Sequence, residues 1–399
     1  MLLESISCMS LSTSLDASTS EVSSASACEF GLLSNARILF FVPDGNLSTN
    51  GVYASQVGGL AKYCEKLGAT TMIWDESCVE CIDREEDGVR KKIWFYQVPG
   101  HFRRLSRQDV RLMTFKPTHI YVRTSACAIA AKELAKKTSA KLVYSMRGVD
   151  VAESLLERNL RAYIIAIWSW FCVRRAMRIA DHVNAVSKTM AEWIVRKFGR
   201  QASVLPCCIA QIKGEVEEVM QKSQGKTIIY SGGLSAWQKI DVIIALMRRI
   251  SEVDDSIRFR FLTKDLEMLR KKCETAGLDK SLWSAKSCNQ SEVLEELAKA
   301  DCGIILRDDT LVNQVASPIK VGEYLAAGLG VIASPFIGDV GKDLADKEYA
   351  CMVDHNTSVE QIVRFVNNLT DSHRMDARKW VMEHLTYDGN RSVVLTMFS

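Results

Sequence analysis

The sequence predicts an α/β protein built from two Rossmann-like, doubly wound domains that face a central cleft. Short apolar strand candidates alternate with segments of helical period, first over residues 36–205 and again over residues 227–369. A polar stretch, "KGEVEEVMQKSQGK" at 213–226, separates the two series. All six prolines fall at the edges of predicted elements, where proline is tolerated. In such parallel sheets, ligands bind beyond the carboxyl ends of the strands.

Each domain has its own set of predicted elements. In the first, strands are expected near 37–42, 70–74, 91–97, 119–123, 141–146, 182–186 and 203–205, with helices at 53–67, 125–137 and 188–198. In the second, strands are expected at 227–233, 258–262, 302–306, 330–334 and 350–353, with helices near 239–250, 264–276, 290–299, 318–327 and 357–369. We therefore expect a disordered Ser-rich tail (1–35), a first Rossmann-like domain (36–212), a second one (213–370) and a helical segment (371–399), for which packing on the N-terminal domain is one arrangement.

The composition argues against nucleic-acid-binding, disulfide-bonded and membrane-spanning classes of protein. The net charge of +3 gives no reason to expect nucleic-acid binding. Thirteen cysteines lie scattered among apolar segments with no secretory signal before them, which favours a reduced, cytoplasmic setting. No apolar run reaches the roughly 18–20 residues of a membrane-spanning helix.

One segment, residues 155–180, has two interpretations. Its central run "AYIIAIWSWFCV" is flanked by arginines, a composition that suits a helix lying on an anionic membrane surface. A long helix packed over the N-terminal sheet, with solvated basic ends, explains the same pattern. The sequence therefore allows both peripheral contact with a membrane and packing on the N-terminal sheet.

The stretch "SPIKVGEYLAAGLGVIAS", residues 317–334, is the first candidate binding site. Ser317 is a natural N-cap and a proline at the first helical position follows it. Lys320 and Glu323, three residues apart, share one face of the predicted helix. A lysine beside the helix amides favours an anion, and a carboxylate one turn on can accept hydrogen bonds from a vicinal diol. The competing interpretation is a solvated surface ion pair.

A second candidate, "YSGGLSAWQKID" at 230–241, follows the first strand of the second domain. Gly232 and Gly233 allow backbone amides to approach a phosphate, and Lys239 can reach the same anion. The stretch matches neither the GxxxxGK[ST] loop nor the GxGxxG fingerprint, which disfavours a nicotinamide dehydrogenase. Each stretch alone is a weak signal of a binding site, but their order along the chain predicts that both face the same cleft.

Five collinear blocks resemble the family-4 glycosyltransferases of the GT-B fold, over roughly residues 36–390. These blocks are "NGVYASQVGGLAKYCEKLGA" (50–69), "YSMRGVD" (144–150), "DHVNAVSKTM…FGRQASVLPCCI" (181–209), "YSGGLSAWQKID" (230–241) and "ILRDDTLVNQVASPIKVGEYLAAGLGVI" (305–332). The resemblance implies a nucleotide-sugar donor bound mainly by the C-terminal domain and a glycan or lipid-linked acceptor bound mainly by the N-terminal one. It also implies sugar transfer with retention of configuration, in polysaccharide biosynthesis, with no essential metal and no cofactor besides the donor.

Carried over by position, the resemblance also implies residue roles. Glu323 would hold the nucleotide ribose, Lys239 would neutralise the diphosphate, and Lys320 with the amides around Asn313–Ser317 would lie near the diphosphate or donor sugar. Arg307 is a further phosphate candidate, and Gly51, in the loop after the first strand, would let the N-terminal domain approach the donor. Two N-terminal residues are candidates for donor or acceptor contacts, Arg147 and His101. The competing interpretations are a structural surface arginine and an ordinary loop histidine.

The chain also departs from the family pattern. Val315 stands where many members carry the first glutamate of a Glu-x7-Glu pair, Gly233 stands where many carry a phosphate-binding arginine, and Ile240 follows the lysine in place of a glycine. Two alternatives therefore accompany the hexosyltransferase prediction: a catalytically inactive protein that binds nucleotide or glycan, and a GT-B nucleotide-sugar epimerase. No pair of carboxylates spaced for double displacement is evident, so catalysis is expected to rest on positive charge at the departing diphosphate.

Overall fold

The computed structural model describes residues 31–42, 51–75, 77–86, 89–95, 110–155, 159–210, 226–289 and 292–399. Two six-stranded sheets, each parallel throughout, form the centres of two α/β domains. This arrangement confirms the predicted fold class. His101 lies outside the described residues, as does most of the predicted 213–226 linker.

The N-terminal sheet has the strand order β2-β1-β5-β6-β7-β8. Its strands are β1 (Arg37–Val42), β2 (Thr70–Asp75), β5 (His119–Val122), β6 (Lys141–Met146), β7 (His182–Ala185) and β8 (Ser203–Val204). The helices of this half are α1 (Gly51–Lys66), α2 (Val110–Phe115), α3 (Ser125–Thr138), α4 (Asp150–Ser154), α5 (Leu160–Ile179) and α6 (Lys188–Phe198). The strands are buried on both faces, which explains why they are continuous apolar runs in the sequence.

The C-terminal sheet has the order β11-β10-β9-β12-β13-β14. Its strands are β9 (Thr227–Ser231), β10 (Arg258–Leu262), β11 (Trp283–Lys286), β12 (Cys302–Ile305), β13 (Gly330–Ala333) and β14 (Ala350–Met352). The helices are α7 (Ile240–Val253), α8 (Leu266–Ala276), α9 (Val293–Leu297), α10 (Leu311–Gln314), α11 (Ile319–Ala326), α12 (Asp339–Asp343), α13 (Val359–Asn368), α14 (Asp371–His384) and α15 (Arg391–Phe398). Short 3₁₀ turns lie at Ala236–Gln238 and Lys280–Leu282.

Two predictions of local structure were wrong. The strand expected at 91–97 does not join the parallel sheet, because β4 (Val89–Phe95) pairs antiparallel with β3 (Ser77–Glu86) in a separate two-stranded sheet. Gly51 begins helix α1 and does not lie in a loop. Glycine is tolerated there because the amide groups of a first helical turn have no intrahelical partner.

Several contacts join the two domains beside the cleft. Val315 is fully buried and belongs to the apolar core of the N-terminal domain, and its carbonyl accepts a hydrogen bond from Ser187 Oγ at 2.7 Å. Asp339 accepts from the backbone amides of Lys188 and Thr189 at the start of α6, and Thr189 Oγ1 adds a bond of 2.8 Å. A carboxylate at a helix N-terminus is electrostatically favoured. These bonds fix one wall of the cleft against the other.

The end of the chain returns to the N-terminal domain. Helix α14 packs against α11, whereas Phe398 of α15 lies 6.3 Å from Phe40 and 6.2 Å from Tyr121, measured between ring centroids. Tyr387 OH, between these helices, donates to the carbonyl of Gln56 at 2.9 Å. Among the described residues, no helix is both long and apolar enough to cross a membrane.

Candidate donor site

The candidate site lies at the carboxyl edge of the C-terminal sheet, where strand β9 ends next to helix α11. Lys320 of α11 donates from Nζ to Gln238 Oε1 at 2.8 Å, and its ammonium lies 4.7 Å from the centroid of the Tyr230 ring. Gly232 has a φ of 138°, and a Cβ atom at this position would collide with Lys320 Nζ. The first glycine of the Gly-Gly pair is therefore required by the position of the lysine as well as by the backbone.

Lys320 has an unusual charge state. Burial, together with the positive charge of Arg307, lowers its pKa to about 7. The negative charge of Glu323, on the same face of α11, opposes that shift but does not cancel it. A buried ammonium group with a depressed pKa gains stability when an anion arrives. The electrostatics of the site thus favour a ligand with negative charge.

Arg307 follows strand β12 and adds a second cation. Its guanidinium donates to the carbonyl of Trp237 at 2.7 Å and lies 4.4 Å from the Trp237 ring centroid. Its backbone amide donates to Ser334 Oγ, so that the residue is held at both ends. Burial lowers the pKa of Arg307 to about 10, which still leaves the guanidinium charged at neutral pH.

Lys239 is the third cation, and it occupies the N-cap position of α7 in the left-handed region, with a φ of 56°. Its Nζ lies 2.6 Å from Asp308 Oδ1. The consecutive residues Trp237, Gln238 and Lys239 therefore contact Arg307, Lys320 and Asp308 in turn. This short segment gathers three cations from three elements at one edge of the sheet.

Glu323 is 7% exposed and projects from the second turn of α11, on the same face as Lys320. Gly322, between them, packs against Ile209 and Leu385, since a Cβ there would lie 3.1 Å from Ile209 Cδ1. The predicted solvated ion pair is contradicted by this burial. A buried carboxylate on the same helix face as Lys320 can bind hydroxyl groups of a ligand.

The loop before α11 differs from the prediction. Ser317 is not the N-cap, because α11 begins at Ile319 with Pro318 as its cap residue. The Ser317 hydroxyl instead accepts a hydrogen bond of 2.9 Å from the Cys207 amide in the other domain. Asn313 is buried, and its Nδ2 donates to the carbonyl of Asp308 at 3.0 Å.

The backbone amides of this loop also have partners. Those of Asn313, Gln314, Val315 and Ala316 donate to carbonyls of α10 and its first turn. They are therefore engaged in the conformation of the free protein.

Arg147, at the end of β6, lies next to the segment that leads out of the N-terminal domain. Its Nη2 donates to Gln56 Oε1 and to Cys207 Sγ, both at 3.0 Å. Gln56 Nε2 in turn donates to the carbonyl of Cys208 at 2.7 Å. These bonds hold the chain between the domains, and none of them joins Arg147 to Lys239, Arg307 or Lys320.

Sequence reasoning missed the residues that organise the cluster. Tyr230, Trp237 and Gln238 lie within the quoted stretch "YSGGLSAWQKID", yet only its glycines and lysine were selected. Asp308 lies within the quoted stretch 305–332 and was assigned no role, although its carboxylate pairs with Lys239. A signal was present in the sequence: Trp237 and Gln238, which stand immediately before Lys239, are residue types that can contact a cation.

Comparisons with known proteins found one matching family model and several similar folds. Residues 54–210 match the model of Glycosyltransferase Family 4. The fold is similar to that of sucrose-phosphate synthase from Thermosynechococcus elongatus, with a TM-score of 0.69, 12% identity, and coverage of 91% of this chain and 97% of that one. It is also similar to Anabaena HepE in complex with UDP (TM-score 0.63, 12% identity, 90% and 99% covered).

A third similar structure is WaaG, a glycosyltransferase involved in lipopolysaccharide biosynthesis (TM-score 0.61, 14% identity, 89% and 98% covered). No curated protein matches the chain by sequence. At these identities the structures show the shared GT-B fold. The N-terminal domain of this chain, over residues 54–210, matches glycosyltransferase family 4.

Proposed function

We propose that this glycosyltransferase transfers a hexosyl group from a nucleoside-diphosphate sugar, with retention of configuration, to a lipid-linked acceptor. The observation that carries the donor assignment is the gathering of Lys239, Arg307 and Lys320 beside the buried carboxylate of Glu323. A diphosphate matches the three cations, and the adjacent ribose diol matches the carboxylate. The similar Anabaena protein was solved in complex with UDP, which supports a nucleoside diphosphate here.

In the proposed reaction, the bond between the anomeric carbon and the diphosphate oxygen breaks, and its electron pair leaves with the diphosphate. The acceptor hydroxyl attacks the same face of the sugar, and its proton passes to the departing phosphate oxygen. Lys239, Arg307 and Lys320 stabilise the charge that develops on the leaving group. In this proposal the side-chain cations do the work of a divalent metal, and the donor sugar takes the place of any cofactor.

Arg307 also accounts for one departure from the family pattern. Gly233 leaves open space, since a Cβ there would meet no atom within 4 Å among the described residues. The guanidinium missing at position 233 is supplied in our proposal by Arg307, which lies close enough to Lys320 to lower its pKa. If Arg307 replaces the missing arginine in this way, the chain is better explained as an active enzyme than as a catalytically inactive binding protein.

The acceptor assignment rests on helix α5. Its buried face is made of small and apolar residues that pack on the domain, such as Ala162, Ala166 and Ala176. Its outer face carries a stripe of exposed large apolar side chains at helical spacing: Leu160 (78% exposed), Ile164, Ile167, Trp168 and Phe171 (64%). The same helix continues into three exposed arginines at positions 174, 175 and 178.

Such a stripe next to cationic side chains suits the interface of an anionic membrane. An enzyme docked there has direct access to a lipid-linked acceptor. In our proposal residues 155–180 therefore make the peripheral membrane contact that their composition left open.

The transferase proposal is tested by nucleoside diphosphate release from a panel of nucleotide-sugars, with and without a lipid extract of the source cells. Glu323→Gln is compared with Glu267→Gln, which changes an exposed glutamate on α8. We expect release to fall at least tenfold in Glu323→Gln and to be unchanged in the control. Nucleotide binding without release under any acceptor would favour the inactive binding protein instead.

The membrane contact is tested separately by sedimentation with vesicles of phosphatidylglycerol and of phosphatidylcholine. Ile167→Ser with Phe171→Ser should reduce binding to phosphatidylglycerol vesicles several-fold. Met268→Ser with Met375→Ser, which changes two equally exposed apolar side chains elsewhere, should leave binding unchanged. Equal binding of all three proteins would refute the assignment of α5.

A further inference from the structure

A cavity of about 500 Å³ lies at the amino-terminal edge of the N-terminal sheet. It is lined by the loop between α2 and β5, the end of α3, and the first residues of three strands. Arg37 begins β1, His119 begins β5 and Lys141 begins β6, and these strands are parallel neighbours. The donor site is formed at the carboxyl edge of the other sheet, so the cavity is a separate feature.

The charge of this cavity is one-sided. Arg37, Lys116, Lys137 and Lys141 line it, and no Asp or Glu lines it in the part of the chain that the structure describes. Two of these cations have carbonyl partners: Arg37 Nε donates to the carbonyl of Lys116 at 2.7 Å, and Lys141 Nζ donates to that of Ser399 at 2.6 Å. The contact of Arg37 neutralises no charge, because a peptide carbonyl is uncharged. The lysines in the last turn of α3 complement its dipole, but that explanation covers Lys137 and not the other three.

His119 points to a missing partner. Its side chain is 6% exposed, and its Nδ1 lies 3.0 Å from Thr118 Oγ1. Its Nε2 is buried and makes no hydrogen bond of good geometry among the described residues, although the Ser399 backbone lies close to the ring. Buried polar atoms are almost always paired in native proteins, so an unpaired nitrogen in a cavity wall indicates a ligand group or water.

The backbone around the cavity is also held in uncommon conformations. Three non-glycine residues have positive φ in the described part of the chain, and two of them, Lys116 (47°) and Ser139 (56°), line this cavity. The third is Lys239 of the donor site. The left-handed conformation of Ser139 is the common end of a helix, because this residue is the C-cap of α3, whereas Lys116 lies in the loop before β5.

We propose that this cavity binds a phosphate-bearing anion. Lysine and arginine side chains are the usual ligands of phosphate oxygens, and the His119 nitrogen can form a further hydrogen bond to them. The anion is either a soluble phosphate compound or the phosphate of a lipid headgroup. Helix α5 ends at this same edge of the sheet, because it leads into the amino end of β7.

Calorimetric titration with inorganic pyrophosphate tests the soluble source. The full-length chain carries Lys239→Gln and Lys320→Gln in every sample, so that binding in the donor site is suppressed and the result does not depend on the proposed function. Lys116→Gln with Lys137→Gln is compared with Lys132→Gln and Lys136→Gln, which removes two cations of α3 outside the cavity. We expect the first pair to weaken pyrophosphate binding at least tenfold and the control pair to change it less than twofold.

Sedimentation with phosphatidylglycerol and phosphatidylcholine vesicles tests the lipid source with the same variants. Loss of phosphatidylglycerol binding in the cavity variant alone, without pyrophosphate binding, would identify a lipid phosphate as the ligand. Both cavity lysines are exposed, and thermal unfolding verifies that each variant is folded. If the cavity and control variants behave alike in both assays, the proposal is refuted.

Discussion

Binding of a nucleoside diphosphate should be coupled to proton uptake by Lys320. In the free protein its pKa is about 7. A bound diphosphate would place negative charge beside the ammonium and return its pKa toward the ordinary value of about 10.4. The lysine is then about one-tenth protonated at pH 8 before binding and fully protonated after it, an uptake of about 0.9 proton per ligand. At pH 6 the same calculation yields about 0.1 proton.

The sign of the pH dependence follows directly. Because the complex binds more protons than the free protein above pH 7, affinity should fall with rising pH, by up to about tenfold per pH unit between pH 7 and pH 10. Calorimetry in buffers of different ionisation enthalpy measures the uptake, using the nucleoside diphosphate that binds best from a panel. Lys320→Gln provides the control, since ionisation of the ligand's own phosphates is common to both proteins. Equal uptake at pH 8 in the wild type and the variant would refute the reasoning.

Four further substitutions, one of them a control, test the cluster and the domain contact. Asp308→Asn should raise nucleoside diphosphate affinity about three- to fivefold in a direct titration, because Lys239 loses a competing carboxylate 2.6 Å away. Gly232→Ala should weaken that affinity at least tenfold while Gly233→Ala leaves it unchanged, because only the first Cβ would meet the ammonium group of α11. Val315→Glu should reduce the free energy of unfolding by more than about 3 kcal/mol in denaturant titration, because it buries a charge in an apolar core. A Val315→Glu protein as stable as the wild type would contradict that account.

The fold was predictable because its central strands are buried on both faces. Segments such as "RILFFV" and "TIIYS" are continuous apolar runs, and their alternation with helices permits few topologies. The strands that escaped prediction lack this signal. Residues 77–86, "SCVECIDREE", are largely charged, and "WSAK" at 283–286 is a short edge strand with half-exposed residues.

The candidate site was predictable only within single elements. Lys320 and Glu323 were paired by helical spacing, and they do share one face of α11. The contact of Lys239 with Asp308, 69 residues away, follows from tertiary packing that no local pattern encodes. The prediction that Ser317 caps α11 was wrong for a similar reason. Its hydroxyl accepts a hydrogen bond from the Cys207 amide, 110 residues away in the other domain, and does not cap the helix.

Position 315 connects the site to the arrangement of the domains. A carboxylate there would have to enter the apolar core of the N-terminal domain, which costs several kcal/mol, whereas valine packs without that penalty. The resemblance implies a glutamate that touches the donor sugar at this position. In this chain Val315 instead helps to join the two walls of the cleft, and its carbonyl accepts the hydrogen bond from Ser187. Sugar discrimination must then depend on other groups, and the N-terminal wall of the cleft is where we expect them. Exchange of loops on that wall should consequently alter the choice of sugar, while substitutions among Lys239, Arg307 and Lys320 should weaken all donors alike.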